Sequence, residues 1–204
     1  LYKVIFSFEY LTMDSKPIVY VSRITNLSDA RYCAGMGVDL LGFVVNPGSP
    51  DYVSPEAYQA LMGWVSGPRR VAEIISSTTI NVQEMVDRYS PELLHVTPDM
   101  LDQLPGGLPL ILEASTSELT AVKSLVSKDK HRIEFLMITD AVDQPIPCPP
   151  TTKVLVSLHA PIDAIATYLG KVNAHGIALR GSPELTPGLK DYDHLSTILE
   201  QLED

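Results

Sequence analysis

The chain has 204 residues, 45% of them hydrophobic, with 25 acidic against 15 basic side chains and a formal net charge of −10. That length fits one domain with a substantial core and argues against a second. The charge balance offers no footprint for a polyanionic backbone, and no apolar run reaches the roughly 18 to 20 residues that span a bilayer, so neither nucleic acid nor membrane is an expected partner. A negative protein can still carry a positive pocket, which leaves acidic small molecules open.

The first segment, LYKVIFSFEYLT, is broken by Glu9 and lacks a small-residue cleavage site, so it reads poorly as a signal peptide. Met13 begins MDSKPIVYVS, and residues 1–12 read as an N-terminal extension ahead of a single domain over 13–204. Tyr2, Val4, Phe6, Phe8 and Tyr10 alternate like an extra strand, expected either to close the floor of the fold or to pair with another subunit as a homodimer.

Eight β-rich runs follow: IVYVS, DLLGFVV, RVAEIIS, ELLHVT, LPLILEA, IEFLMIT, KVLVSL and GIALR. Most are almost continuously apolar, as parallel strands covered on both faces are. Stripes at helical spacing lie between them: Tyr58, Leu61, Met62 and Val65; Val82, Met85, Val86 and Tyr89; Ile162, Ile165, Ala166 and Leu169; Leu195, Ile198, Leu199 and Leu202. Asn26 is placed to cap the first helix and Ser54 before Pro55 to start the second. After the sixth run AVDQPIPCPPTT carries four prolines and cannot be a helix. The expectation is an α/β fold, a (β/α)8 TIM barrel in which a proline-rich loop replaces the helix after strand 6; a doubly wound sheet is the competing topology.

A barrel places function where its strands end. The candidates there are Ser22 and Arg23, Asn46, Ser76, Thr97, Glu113, Asp140, Ser157 and His159, and Arg180 with Gly181 and Ser182. His159 follows strand 7 on the working side and is a candidate base; His95 lies inside a strand as a satisfied core residue, and His175 lies away from the rim. Cys33 reads as core and Cys148, among prolines, as an exposed incidental thiol. The two cysteines form no metal-ligand spacing, so no metal or other cofactor is expected, and a reducing, cytoplasmic setting fits.

The pieces YVSRITNLSDA, GMGVDLLGFVV and SPDYVS resemble, in order, the opening motifs of phosphoribosylanthranilate isomerases of tryptophan biosynthesis. FLMITDA resembles that family's sixth strand, and GIALRGSPELTPGLKDYDHLSTILEQL its eighth β-α unit with the P-G-x-K-D motif. The likeness is strong at both ends and thin between about residues 70 and 130. It implies an Amadori rearrangement that converts an N-phosphoribosyl aromatic amine from aminoaldose to aminoketose. In the family a cysteine ending strand 1 takes the proton from the sugar carbon, and an aspartate ending strand 6 protonates the ring oxygen. Asp140 stands at the aspartate position and Ser22 at the cysteine position, with Arg23 in place of the next glycine.

Other positions depart as well. The family arginine for the substrate carboxylate is Asp51, and the phosphate-side glycines after strand 7 are Ser157 and Leu158. The strand-8 phosphate loop corresponds to Arg180, Gly181 and Ser182, where a guanidinium and backbone N–H groups can hold an anion. A serine hydroxyl is a far weaker acid than a thiol of pKa about 8.5, so Ser22 without a partner cannot match the family base. Three readings stay open: an isomerase with altered or weakened activity, a barrel enzyme acting on another small phosphorylated ligand through Asp140, Arg180 and His159, and a non-catalytic binding barrel.

Overall fold

The computed structural model describes residues 16–74, 81–128, 132–160, 162–181, 184–186, 189–190 and 193–202. Eight parallel strands close into a barrel in sequence order, β1 Ile18–Ser22, β2 Leu40–Val44, β3 Arg69–Glu73, β4 Leu93–Val96, β5 Leu110–Ala114, β6 Ile133–Ile138, β7 Lys153–Ser157 and β8 Gly176–Arg180. The seam is β8 against β1, in register from Ile18↔Gly176 to Ser22↔Arg180. A β-carbon on Gly176 would fall 2.0 Å from the Ile18 carbonyl oxygen, so the seam closes only because that position has no side chain. A short antiparallel pair, β9 Glu184–Thr186 with β10 Leu189–Lys190, follows β8.

The outer layer contains α1 Leu27–Gly35, α2 Pro55–Met62, α3 Val82–Tyr89, α4 Leu119–Lys128, α5 Ile165–Val172 and α6 Asp193–Glu200. Both expected starts hold: the Asn26 side chain accepts from Asp29 N, and Ser54 accepts from Ala57 N ahead of Pro55. No helix joins β6 to β7 through the proline-rich segment. The β4–β5 connection has no α-helix either, only a 3-10 turn over Pro98–Gln103. Thirteen residues that include Pro98, Pro105 and a Gly-Gly pair leave no span for a full amphipathic helix.

Alternation along the strands divides the core in two. One face packs against the helices through residues such as Val19, Val21, Leu41, Phe43, Leu112 and Val156. The other fills the barrel, and the strand registers stack it in layers. Leu40, Leu93, Phe135 and Gly176 come from the even strands; above them stand Tyr20, Val71, Ile111 and Leu155 from the odd ones. Gly42, His95, Met137 and Ala178 follow, and the layer at the strand ends is Ser22, Glu73, Glu113 and Ser157. The filling thus changes from wholly apolar to wholly polar over two turns of the pleat, and the polar end faces the mouth.

Residues 1–12, Ser76, His131 and Ser182 lie outside the described residues, so the expected extra strand and those candidates receive no structural account. Cys33 is buried as expected. Cys148 is half-buried rather than exposed, and burial pushes its thiol up to about 11, because the proline-rich segment packs back onto the barrel.

Candidate active site

The strand ends enclose a cavity of about 210 Å³, lined by both side chains of the β1 end, Ser22 and Arg23, and by residues from β3 through β8. Ser157, His159 and Arg180 also line it, together with Glu113. Asn46 is buried, and Thr97 borders a smaller adjoining cavity of about 80 Å³.

Ser22 is half-buried, and its hydroxyl donates to the Leu179 carbonyl at 3.1 Å, which spends its proton on the backbone rather than on a base. Gly181 donates its N–H to the Ser22 carbonyl at 2.7 Å, so that group is engaged in closing the β1–β8 seam. Asp140 does not line the cavity. Its carboxylate accepts from the Thr116 backbone N–H at 2.7 Å and from the Thr116 hydroxyl, tying the end of β6 to the loop after β5. Those donors hold its carboxyl below the usual range, the Thr116 hydroxyl contributing most. A carboxyl so held is a poor proton donor near neutral pH. The geometry brings Ser22, Ser157, His159 and Arg180 to one cavity and leaves Asp140 beside it.

At the rim, Asp51 receives two arginines: Arg23 Nη1 at 2.8 Å and Arg180 Nη2 at 3.1 Å reach its Oδ2. Two guanidiniums against one carboxylate leave one positive charge at the rim, set against the Glu113 carboxylate deeper in the same cavity. His159 is exposed, with Nε2 2.9 Å from the Thr139 carbonyl. Leu158 is buried in the core between barrel and helices and borders the cavity next to Ser157.

The floor holds a cluster that the sequence reading missed in part. The Tyr20 hydroxyl lies 2.9 Å from Glu73 Oε1, to which it can donate, and 3.0 Å from His95 Nδ1. His95 Nε2 in turn lies 2.8 Å from Glu113 Oε2, within ion-pair distance but too bent for an aligned hydrogen bond. Arg23 N–H donates to Glu73 Oε1 at 2.8 Å. Arg23 reaches that position with φ 57, a left-handed backbone that costs a residue with a β-carbon roughly 1 kcal/mol.

Glu73 and His95 are 1% and 5% exposed, whereas 35% of the Glu113 side chain is exposed to the cavity. Burial pushes the Glu73 carboxyl above its usual range, against the pull of His95 and of the donors from Arg23 and Tyr20. The contact with His95 holds Glu113 below it, outweighing partial burial. Gly42 makes room for this arrangement: a β-carbon there would sit 1.9 Å from Glu73 Oε1 and 2.4 Å from the Tyr20 hydroxyl.

Of the cluster, Glu113 was legible as a strand-end residue. His95 is buried as expected, yet it also lines the cavity. Glu73 and Tyr20 carried a signal in the pleat: each shares its strand's inward face with a neighbour two residues away, Val71 and Ser22, and a carboxylate on an inward face is conspicuous.

Among the described residues no group of three His, Cys, Asp or Glu side chains is arranged to hold a metal ion, and no helix is long and apolar enough to cross a membrane. No protein-family profile matches the chain. A curated N-(5'-phosphoribosyl)anthranilate isomerase of Gloeothece citriformis is 24% identical over 218 aligned positions, covering 90% of this chain and 93% of that protein. The isomerase of Aquifex aeolicus is 32% identical over 71 residues, 34% of this chain and 35% of its own length. Among solved structures, a phosphoribosyl anthranilate isomerase in complex with reduced 1-(o-carboxyphenylamino)-1-deoxyribulose 5-phosphate superposes with a TM-score of 0.69 at 17% identity, over 92% of this chain and 98% of that one. The Thermus thermophilus enzyme gives 0.68 at 18%, over 91% and 98%. These superpositions show the fold, an eight-stranded parallel barrel shared with phosphoribosylanthranilate isomerases. In sequence the chain is similar to curated N-(5'-phosphoribosyl)anthranilate isomerases, weakly over nearly its whole length and more closely over about a third of it.

Proposed function

We propose that the strand-end mouth binds a small phosphorylated ligand and that the Amadori isomerase activity of the family is lost or severely weakened in this chain. The observation that carries the reading is Ser22. At the position of the family's base stands a hydroxyl whose proton is committed to the Leu179 carbonyl. A base of that kind needs an adjacent titratable group to take its proton, and the acceptor that Ser22 has is a backbone carbonyl. Asp140, at the position of the family's acid, is bound by Thr116, which holds its carboxyl below the usual range, and is not among the residues that line the cavity.

Ligand class follows from the rim. One isomerase relative is complexed with a ribulose 5-phosphate analogue. Here the net positive charge of Arg23, Arg180 and Asp51 supplies attraction for an anion, with Arg180 able to offer a bidentate fork. The Gly181 N–H is turned to Ser22, so the anion is held by guanidinium more than by backbone. Asp51 disfavours a substrate carboxylate at the place where the family keeps an arginine.

The test is turnover of N-(5'-phosphoribosyl)anthranilate by the unmodified protein and by a Ser22→Cys, Asp51→Arg double variant. The expected rate for the unmodified chain lies at least about a thousandfold below the ordinary enzyme range of about 1–10³ s⁻¹, with a measurable gain in the double variant. A rate within that range for the unmodified chain overturns the reading.

A further inference from the structure

We propose that Tyr20, Glu73, His95 and Glu113 form a proton relay across the floor of the strand-end cavity, with Glu113 as the acid–base group that meets a bound phosphorylated aldose. This places an acid–base site on β1, β3, β4 and β5, apart from the Ser22 and Asp140 positions. The choice of ligand rests on the reading above; the relay itself does not.

The distances define the wire. Glu73 Oε1 to the Tyr20 oxygen, Tyr20 oxygen to His95 Nδ1, and His95 Nε2 to Glu113 Oε2 are 2.9, 3.0 and 2.8 Å. The last contact is bent, and a turn of the Glu113 carboxyl, which has open space on the cavity side, aligns it. With one proton in each of the three contacts the cluster carries a single negative charge, and its protons have two ordered arrangements with a neutral imidazole. In the first, Glu73 is protonated and donates to the Tyr20 oxygen, the Tyr20 hydroxyl donates to Nδ1, and Nε2–H points at an anionic Glu113. In the second, Glu113 is protonated and gives its hydrogen to Nε2, Nδ1–H donates to the Tyr20 oxygen, and the tyrosine hydroxyl donates to an anionic Glu73. Three short proton shifts interconvert them through the imidazolium form, with no atom or charge gained or lost.

The surroundings favour the first arrangement. Glu73 is walled off from water and its carboxyl is pushed up, while Glu113 is held down, and two carboxyls driven apart in this way take opposite roles. The other charge close to both is Arg23, whose guanidinium is paired with Asp51. Glu113 is therefore the anionic, cavity-facing end: its Oε1 accepts the proton from the carbon next to the aldehyde of the bound sugar, the C–H electron pair becomes the C1–C2 double bond while the carbonyl π pair moves onto the aldehyde oxygen to give an enediolate, and return of the proton from the same carboxyl to that carbon reverses both shifts. Tyr20, Glu73 and His95 are positioning residues that set how basic Glu113 is. The cost of building this cluster supports a role beyond packing: Gly42 is bare to admit it, and Arg23 is strained to complete it.

Two measurements test it. Carboxyl and imidazole NMR of the protein without ligand, from pH 4 to 9, is expected to show the Glu73 and Glu113 titration steps in the signals of all three groups, Glu73, His95 and Glu113, with the His95 ring proton on Nε2. Tyr20→Phe should separate Glu73 from the other two. Independent midpoints in the unmodified protein, or none moved by Tyr20→Phe, overturn the relay. The second measurement uses D-ribose 5-phosphate in D2O, following its binding by calorimetry and the wash-in of deuterium at C2. Wash-in above buffer is expected, falling at least about a hundredfold in Glu113→Gln and about tenfold in Tyr20→Phe, with the pH profile of the latter shifted. Binding without wash-in overturns the assignment of Glu113 while leaving the phosphate-binding reading intact. Absence of binding overturns the aldose phosphate as ligand, and the titrations then judge the relay alone.

Discussion

The two sides of the mouth are built on different principles. From β1 to β5 the inward positions carry a packed polar cluster, Tyr20, Glu73, His95 and Glu113, in which each group has a neighbour within 3.0 Å. From β6 to β8 the inward positions are Met137, Ser157 and Ala178, and the polar groups there, His159 and Arg180, stand exposed at the rim. A barrel needs only volume and alternation to close, which the β6–β8 side supplies at little expense. Buried charge must be paired and hydrogen-bonded or it costs several kcal/mol, so the β1–β5 side exists only where every neighbour cooperates.

That contrast predicts unequal sensitivity. The largest effect is expected from Gly42→Ala, whose methyl would displace both Glu73 and Tyr20 from a closed cluster; about 3 kcal/mol of stability should be lost in chemical denaturation. Ser157→Ala, in the strand-end layer on the other side, should change it by no more than about 1 kcal/mol. Equal losses would erase the distinction between the two sides.

A second effect appears with pH. Because the buried Glu73 carboxyl is pushed up, the folded protein retains that proton to higher pH than the unfolded chain. Its contribution is fully present below the unfolded carboxyl range and is lost as pH rises through the folded value. Glu113, held down by His95, pulls in the opposite direction, its contribution being lost as pH falls. Glu73→Gln should therefore gain in melting temperature relative to the unmodified protein as pH rises from 4 towards 8, by about 2–4 °C for each kcal/mol of relieved cost. A difference that stays flat with pH would show that Glu73 does not titrate abnormally.

Smaller effects concern the rim. Asp51→Asn removes the carboxylate shared by Arg23 and Arg180, and calorimetry should show ribose 5-phosphate binding about fivefold tighter, an effect near 1 kcal/mol that weakens with salt. His159→Ala, an exposed residue with one carbonyl contact, should alter stability by less than about 0.5 kcal/mol.

Much of the frame was legible in the sequence because its signals are local. Strand runs, the Asn26 and Ser54 caps and the prolines after β6 act through neighbouring residues, and the structure follows them. The 3-10 turn over Pro98–Gln103 was less visible, since its shortness shows only when both flanking strands are fixed. At the site, Glu113 and Ser22 were legible from their place at strand ends. Tyr20 with Glu73, 53 residues apart, and Tyr20 with His95, 75 apart, were not, because barrel closure and strand register decide which inward residues meet. The engagement of Asp140 by Thr116 likewise depends on two loops coming together after β5 and β6. The resemblance set Asp140 at the position of the family's acid without showing where its oxygens are bound.

The most direct measurement compares N-(5'-phosphoribosyl)anthranilate turnover by the unmodified protein with that of Asp140→Asn and Ser22→Ala. The expected result is a rate at least about a thousandfold below the ordinary range of about 1–10³ s⁻¹, unchanged within a factor of about two by either substitution. A rate inside that range, abolished by Asp140→Asn, would contradict the account, since it would mean that the inherited acid still works despite its bonds to Thr116.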